Sequence, residues 1–193
     1  MEYALGIDGR TDTIKGGTGL LLLHPSTGET DRVDTEFFAL DTDAFLVIST
    51  RTTAREVKQK LEYYDVDESK ATILDTLSVE RGYSRRGGDQ IHYVAAPDDL
   101  AGIVEQTRRF LERTDGKRRL SVDSVTELAY YAEDDDAVFD AMVEIQRLLD
   151  DHDAVGLFHL APEVHVPELV ERYQRQFDGT VHLNEAGNLR LDL

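Results

Sequence analysis

A chain of 193 residues that is 40% hydrophobic can bury one sizeable core, and the lack of cysteine excludes disulfides and thiolate chemistry. Its 39 acidic residues against 21 basic ones give a formal net charge of −18, which repels nucleic-acid phosphates and argues against DNA as a partner. No apolar run approaches the roughly 18 to 20 residues of a membrane span, and the N-terminus lacks the basic, apolar, small-residue order of a secretory signal, so a cytoplasmic protein is expected.

Strand and helix patterns alternate along the chain. Leu20 to Leu23 is a short apolar run, expected as a buried parallel strand, and it leads through the turn His24-Pro25-Ser26-Thr27-Gly28-Glu29-Thr30 into a helix. Ala44 to Ser49 is a second such strand. Thr52 to Tyr64 then carries Val57, Leu61 and Tyr64 at helical spacing. Ala71 to Asp75 and His92 to Ala95 are further strand candidates, separated by the Gly- and Arg-rich surface loop VERGYSRRGGDQ. Asp98 to Arg113 is the clearest helix, with Leu100, Ile103, Val104, Thr107 and Leu111 on one face and acids at its start. Leu120 to Asp123 is a strand followed by helices through Tyr131 and from Asp135 to Leu149. Val155 to Leu160 is another strand, and Val166 to Phe177 a helix. The end alternates around Ala186-Gly187-Asn188 as a closing hairpin. The pattern predicts an α/β fold with a mostly parallel central sheet flanked by helices, in one domain over residues 1–193.

The acids are scattered over every segment, and the tightest run, Asp134-Asp135-Asp136, suits a solvated helix start. Lysine is confined to Lys15, Lys58, Lys60, Lys70 and Lys117, with arginine supplying the other cations. This distribution fits a protein of concentrated salt, where repulsion is screened within a few ångströms, better than a dedicated surface for a basic partner.

The turn after the first apolar strand has the layout of a phosphate-binding loop. In G-x-x-x-x-G-K-[ST], backbone N–H groups wrap the phosphates, Lys reaches the outer ones and the hydroxyl binds Mg²⁺. Gly28 and Thr30 keep that pattern, whereas Leu23 stands at the first Gly and Glu29 at the Lys. At about 4 Å and an effective dielectric near 20, exchanging attraction for repulsion shifts the interaction with a phosphate by several kcal/mol. Taken alone, the segment also reads as an ordinary strand-to-helix turn with Thr30 or Thr27 near the N-cap.

The order of the remaining segments bears on that choice. RRLSVDSVTELAYYA, with Asp123 and Ser124, resembles the Walker B segment of RecA/KaiC-like proteins. AFLVISTRTTAREVKQKLEYYDVD resembles the strand and helix that follow their phosphate-loop helix. AVGLFHLAPEVHVPELVERYQRQFDGTVHLN resembles their sensor strand and the strand after it. LGIDGRTDTIKGGTG is similar in place to their opening segment, which ends in a Gly pair. The resemblance covers nearly the whole chain and implies a three-layer RecA/KaiC-like core of haloarchaeal type with a degenerate Walker A motif. Active members carry acids just after the second core strand, where this chain has Ser49-Thr50-Arg51-Thr52. The resemblance therefore implies a pseudo-ATPase without catalytic residues or a required cofactor, acting as a regulatory or scaffolding protein in signal transduction. A protein partner or homo-oligomer goes with that role. Two alternatives stay open: a nucleotide-binding switch or weak ATPase, which alone would use ATP and Mg²⁺ through Thr30, Asp123 and a basic group such as Arg51 or Arg86, and a RecA-paralogue role in DNA transactions.

Other constellations are weaker. His159 and His165, with Glu163 between them, invite a metal reading, but no third ligand stands at a convincing spacing, and His159 fits better as a polar residue lining the cleft or within the core. Arg81, Arg85 and Arg86 form a local basic patch suited to carboxylates or phosphates, at an interface or simply in solvent. A Ser/His/Asp hydrolase is set aside, because no nucleophile elbow is present.

Overall fold

The computed structural model describes residues 1–10, 12–27, 29–83 and 88–193. Gly28, Arg85 and Arg86, singled out above, lie outside the described residues. The elements run β1 (Glu2–Ala4), β2 (Thr13–Lys15), β3 (Gly19–Leu23), α1 (Asp31–Ala39), β4 (Ala44–Ser49), α2 (Ala54–Tyr63), β5 (Ala71–Asp75) and β6 (Ile91–Tyr93). They continue with α3 (Leu100–Arg113), β7 (Arg118–Asp123), α4 (Val125–Ala132), α5 (Asp135–Asp151), β8 (Val155–Leu160), α6 (Pro167–Gln176), β9 (Gly179–Leu183) and β10 (Leu189–Asp192).

The main sheet has the order β10-β9-β3-β8-β7-β4-β5-β6, parallel except for the β9–β10 hairpin. β8 is inserted between β3 and β7, so the chain leaves β3, builds one half of the sheet, and returns beside its starting strand. Helices cover both faces, which is why β3 and β4 read as unbroken apolar runs. Along β3 the side chains alternate: Leu21 and Leu23 join the core under α3, α5 and α6, while Leu20 and Leu22 join the core under α1, α2 and the N-terminal hairpin.

Helix starts are fixed by the side chains that sequence chemistry favours there. Asp99 accepts from the Gly102 N–H at 2.9 Å, Asp134 from Asp136 and Ala137 at 3.1 Å, and Thr53 and Glu56 form a capping box on α2.

Three local departures from the sequence reading have simple causes. β1 and β2 form a small antiparallel sheet of their own that alternation in so short a segment did not announce. β7 begins at Arg118 rather than Leu120, because Arg119 is buried although its residue type belongs to the surface. The strand placed at 92–95 is Ile91–Tyr93, paired to β5 at the sheet edge.

The Gly pair before β3 has a steric reason. A Cβ on Gly16 would lie 2.6 Å from the Asp153 carbonyl oxygen, and Gly17 sits at φ +91 while donating to the Ala154 carbonyl at 2.7 Å. The start of β3 is thereby held against the turn that opens β8.

Candidate functional site

Strand alternation lays a polar stripe on the sheet. Leu120 and Val122 of β7 point into the core under α3 to α6, so Arg119, Ser121 and Asp123 face the other way. On the neighbouring β8, Phe158 and Leu160 enter that same core and His159 faces with Ser121 and Asp123. Helix α1 lies over this face and brings Asp34 down onto it.

The contacts form one connected chain. Asp34 Oδ1 accepts from Ser121 Oγ at 2.8 Å and lies 2.9 Å from His159 Nε2. Lys60 Nζ of α2 lies 3.5 Å from Asp34 Oδ2 and 3.1 Å from Asp31 Oδ1. The other ring nitrogen of His159 is 3.7 Å from Asp123 Oδ1. Asp123 in turn is met by Arg51, whose Nη2 stands 2.6 Å away and also donates to Thr30 Oγ1 at 3.2 Å. The backbone beneath is fixed by Thr50, which donates to the Asp123 carbonyl at 2.9 Å and accepts from the Ser124 N–H at 2.6 Å.

Charge balance follows from this geometry. Burial opposes ionisation of Asp34, but His159, Lys60 and the Ser121 hydroxyl overcome it and hold the carboxyl below the ordinary carboxylate range. Burial likewise opposes charge on Lys60 and on Arg51. Asp34 and Asp123 raise the lysine above its usual value, and Asp123 with Glu127 does the same for the arginine. The site therefore keeps Asp34 ionised and both cations charged, each held by an opposite neighbour.

Of the residues expected at a site, Thr30, Arg51, Asp123, Ser124 and His159 come together. Thr30 takes the N-cap position of α1, as an ordinary turn would have it, yet its hydroxyl makes no cap and accepts from Arg51 instead. Ser124 caps α4 and donates its hydroxyl to Glu127. Leu23 ends β3 with its side chain in the apolar core, and Glu29 is exposed. Arg81 is exposed, with its Nη2 3.5 Å from the Tyr131 hydroxyl. His159, His165 and Glu163 go to different partners: His165 Nε2 lies 3.1 Å from Thr126 Oγ1, and Glu163 accepts from the Ser26 N–H. Among the described residues no group of three or more His, Cys, Asp and Glu is arranged to hold a metal ion.

Sequence reasoning missed Asp34, Lys60 and Ser121. A signal for Asp34 was present, since it falls four residues after Thr30 and four before Phe38, on the face that α1 buries.

Next to the cluster lies a cleft of about 630 Å³ between α4 and the segment 161–166, with His24, Arg51, Ser124, Glu127, Tyr131 and His165 in its walls. It opens beyond the carboxyl ends of β3, β7 and β8, where open α/β sheets place their ligands.

These features define an α/β protein of RecA/KaiC-like fold. Among solved structures, a KaiC-like protein from the hyperthermophilic archaeon Pyrococcus horikoshii OT3 matches 95% of this chain and 81% of its own, with TM-score 0.67 and 14% identity. An ATPase of the type III secretion system of pathogenic bacteria matches 96% of this chain with TM-score 0.67 and 13% identity, and the chain spans 57% of that one. No curated protein matches in sequence. Over residues 1–193 the chain belongs to DUF7090, described as a family of unknown function.

Proposed function

We propose that this protein is a pseudo-ATPase: a RecA/KaiC-like domain of haloarchaeal type that keeps the fold, has given up nucleotide hydrolysis, and serves as a regulatory or scaffolding protein in signal transduction. A protein partner or further copies of the chain would read it.

The observation that carries this reading is the place of Arg51. In a working phosphate loop a hydroxyl of the Thr30 kind and a strand-end carboxylate of the Asp123 kind serve Mg²⁺ and its nucleotide. Here a guanidinium joins that hydroxyl to that carboxylate, at 3.2 and 2.6 Å. Arginine brings a permanent positive charge and donors only, so it balances the charge of Asp123 without offering a ligand to a metal. Glu29, at the position of the loop lysine, adds an anion on the side where phosphates would lie. The residues present do not fit Mg²⁺ and a nucleoside triphosphate. The acid-rich, lysine-poor composition supports the high-salt setting.

The test is calorimetric titration of ATP with Mg²⁺ at molar KCl into the wild type, Glu29→Lys and Glu29→Lys/Arg51→Ala. The wild type is expected to give no binding heat. Saturable binding by the wild type overturns the proposal and turns Thr30, Asp123 and Arg51 into a working nucleotide switch. Binding gained by the double variant alone would identify Glu29 and Arg51 as the two residues that disarm the loop.

A further inference from the structure

The cleft beside the cluster holds groups that the Arg51–Asp123 pair leaves unused. Its floor and rim are largely apolar and aromatic, with Ala129, Tyr130, Tyr131, Val164 and Val166 contributing, and Tyr130, Val164 and Val166 are exposed. Its volume of about 630 Å³ falls within the range of small-ligand sites, roughly 300 to 1,000 Å³. It is far too small for a protein domain.

Two kinds of acceptor stand in its walls. His24 lines the cleft and is only 2% exposed. Its Nδ1 lies 2.8 Å from the Pro25 carbonyl oxygen. A carbonyl only accepts, so Nδ1 carries the hydrogen and Nε2 is left with a lone pair. That Nε2 is itself buried and has no hydrogen-bond partner among the described residues. Burial, with the nearby His159 as second cause, pulls the His24 pKa down to about 4, which keeps the ring an acceptor at neutral pH. Burial lowers His165 as well, so neither imidazole in the walls adds positive charge there. The second kind is carboxylate: Glu127, anchored by the Ser124 hydroxyl, and Asp135. The cationic member of the lining, Arg51, is already committed to Asp123. Two carboxylates and aromatic faces, backed by an uncharged imidazole rather than a cation, favour a ligand that donates hydrogen bonds and carries positive charge.

We propose that this cleft binds a small organic cation, a molecule with an apolar or aromatic body and a protonated amine or guanidinium. The ammonium or guanidinium meets Glu127 and Asp135, and the body lies against Tyr131 and the valines. An anion of similar size is disfavoured by the same two carboxylates. The inference stands apart from the pseudo-ATPase reading, because it uses a different cavity wall and a different ligand.

The test uses the full chain in molar KCl, which screens adventitious attraction of cations to a surface of charge −18. Tyramine and agmatine are titrated by calorimetry and thermal shift, with 4-ethylphenol as the uncharged counterpart of tyramine and an arginine-rich peptide in parallel. At least one amine is expected to bind saturably at micromolar to low millimolar concentration, with 4-ethylphenol about tenfold weaker or more. Glu127→Gln should weaken the amine by about tenfold, and Glu171→Gln, on the exposed side of α6, should leave it unchanged. Since Glu127 also holds Ser124, a second variant, Ala129→Trp, fills the cleft without removing a charge and should abolish binding. Three results each overturn the proposal: no saturable binding of either amine, equal binding of 4-ethylphenol, or binding unchanged in both cleft variants. Binding of the peptide alone, with neither free amine, overturns it in favour of a partner protein.

Discussion

Nη2 of Arg51 lies 2.6 Å from Oδ1 of Asp123 and donates to Thr30, so a single guanidinium ties the end of β7 to the start of α1. The Asp123 side chain is 6% exposed and that of Arg51 25%. Removing one partner of a fully buried pair costs about 3–5 kcal/mol, because the other charge is left without compensation. Water reaches part of Arg51, so Arg51→Ala should lower stability by about 1–3 kcal/mol in urea denaturation. Arg51→Lys keeps the charge on a differently shaped side chain, and should recover part of the loss. A change in Arg51→Ala below about 0.5 kcal/mol, the scale of an ordinary surface substitution, would remove this pair from the account.

Asp34 is the hub of the same chain, with Ser121, His159 and Lys60 all directed at it. Asp34→Asn keeps the shape and removes the charge that compensates the largely buried Lys60, at an expected cost of about 2–4 kcal/mol. Its carboxyl titrates near 3.9 in the unfolded chain and lower in the folded protein. The contribution is complete above the unfolded value and is lost as the pH falls through the folded one. Wild-type stability should therefore drop steeply below about pH 4, and the Asp34→Asn curve should be flatter there. Parallel curves from pH 6 to pH 2.5, measured by urea denaturation, would contradict the assignment.

What the sequence made legible follows from period and spacing. The apolar runs at Leu20–Leu23, Ala44–Ser49 and Val155–Leu160 announce strands buried on both faces, and these are β3, β4 and β8 of the sheet. Asp123 and Ser124 are placed by their position at the end of a strand and the start of a helix. The surroundings of Asp123 are another matter, since its partners Arg51 and His159, and the Thr30 that Arg51 also meets, come from three other parts of the chain and meet only when the sheet order is known. Ser121 carried no signal at all, because a serine in a strand reads the same whether it meets water or a buried carboxylate. Arg119 misled, as its residue type points outward while its environment is the core.

That buried arginine makes the third prediction. Arg119 lies between the rings of Tyr3 and Phe37, at 5.4 and 4.8 Å from their centroids, and donates to Thr42 Oγ1, to the Ala4 carbonyl at 2.5 Å and to the Leu40 carbonyl at 3.0 Å. No carboxylate forms an ion pair with it among the described residues, and burial pulls its pKa down to about 10. It acts as a staple between β1, the end of α1 and β7. Arg119→Ala should take a donor from the Ala4 and Leu40 carbonyls and from the Thr42 hydroxyl and open a cavity, costing about 2–5 kcal/mol. Hydrogen exchange should rise first in residues 2–15. Uniform change across the sheet, with no excess in that hairpin, would show that the staple is not local.

His24 gives a pH dependence at milder acidity than Asp34. In the unfolded chain it protonates near 6.5, but in the folded protein burial and the neighbouring His159 lower its pKa to about 4. The unfolded state takes up the proton first, so folding stability falls as the pH drops through the interval between the two values and levels off below the folded one. A shift of that size corresponds to roughly 3 kcal/mol, given that the side chain is 2% exposed. His165 is also lowered by burial and adds to the same slope. His24→Gln, which keeps a donor for the Pro25 carbonyl but does not titrate, should remove the larger part of the decline between about pH 6.5 and pH 4. Stability curves that fall equally in the wild type and in His24→Gln would assign the slope to other groups. Such a result would also withdraw the buried, uncharged His24 from the wall of the cleft.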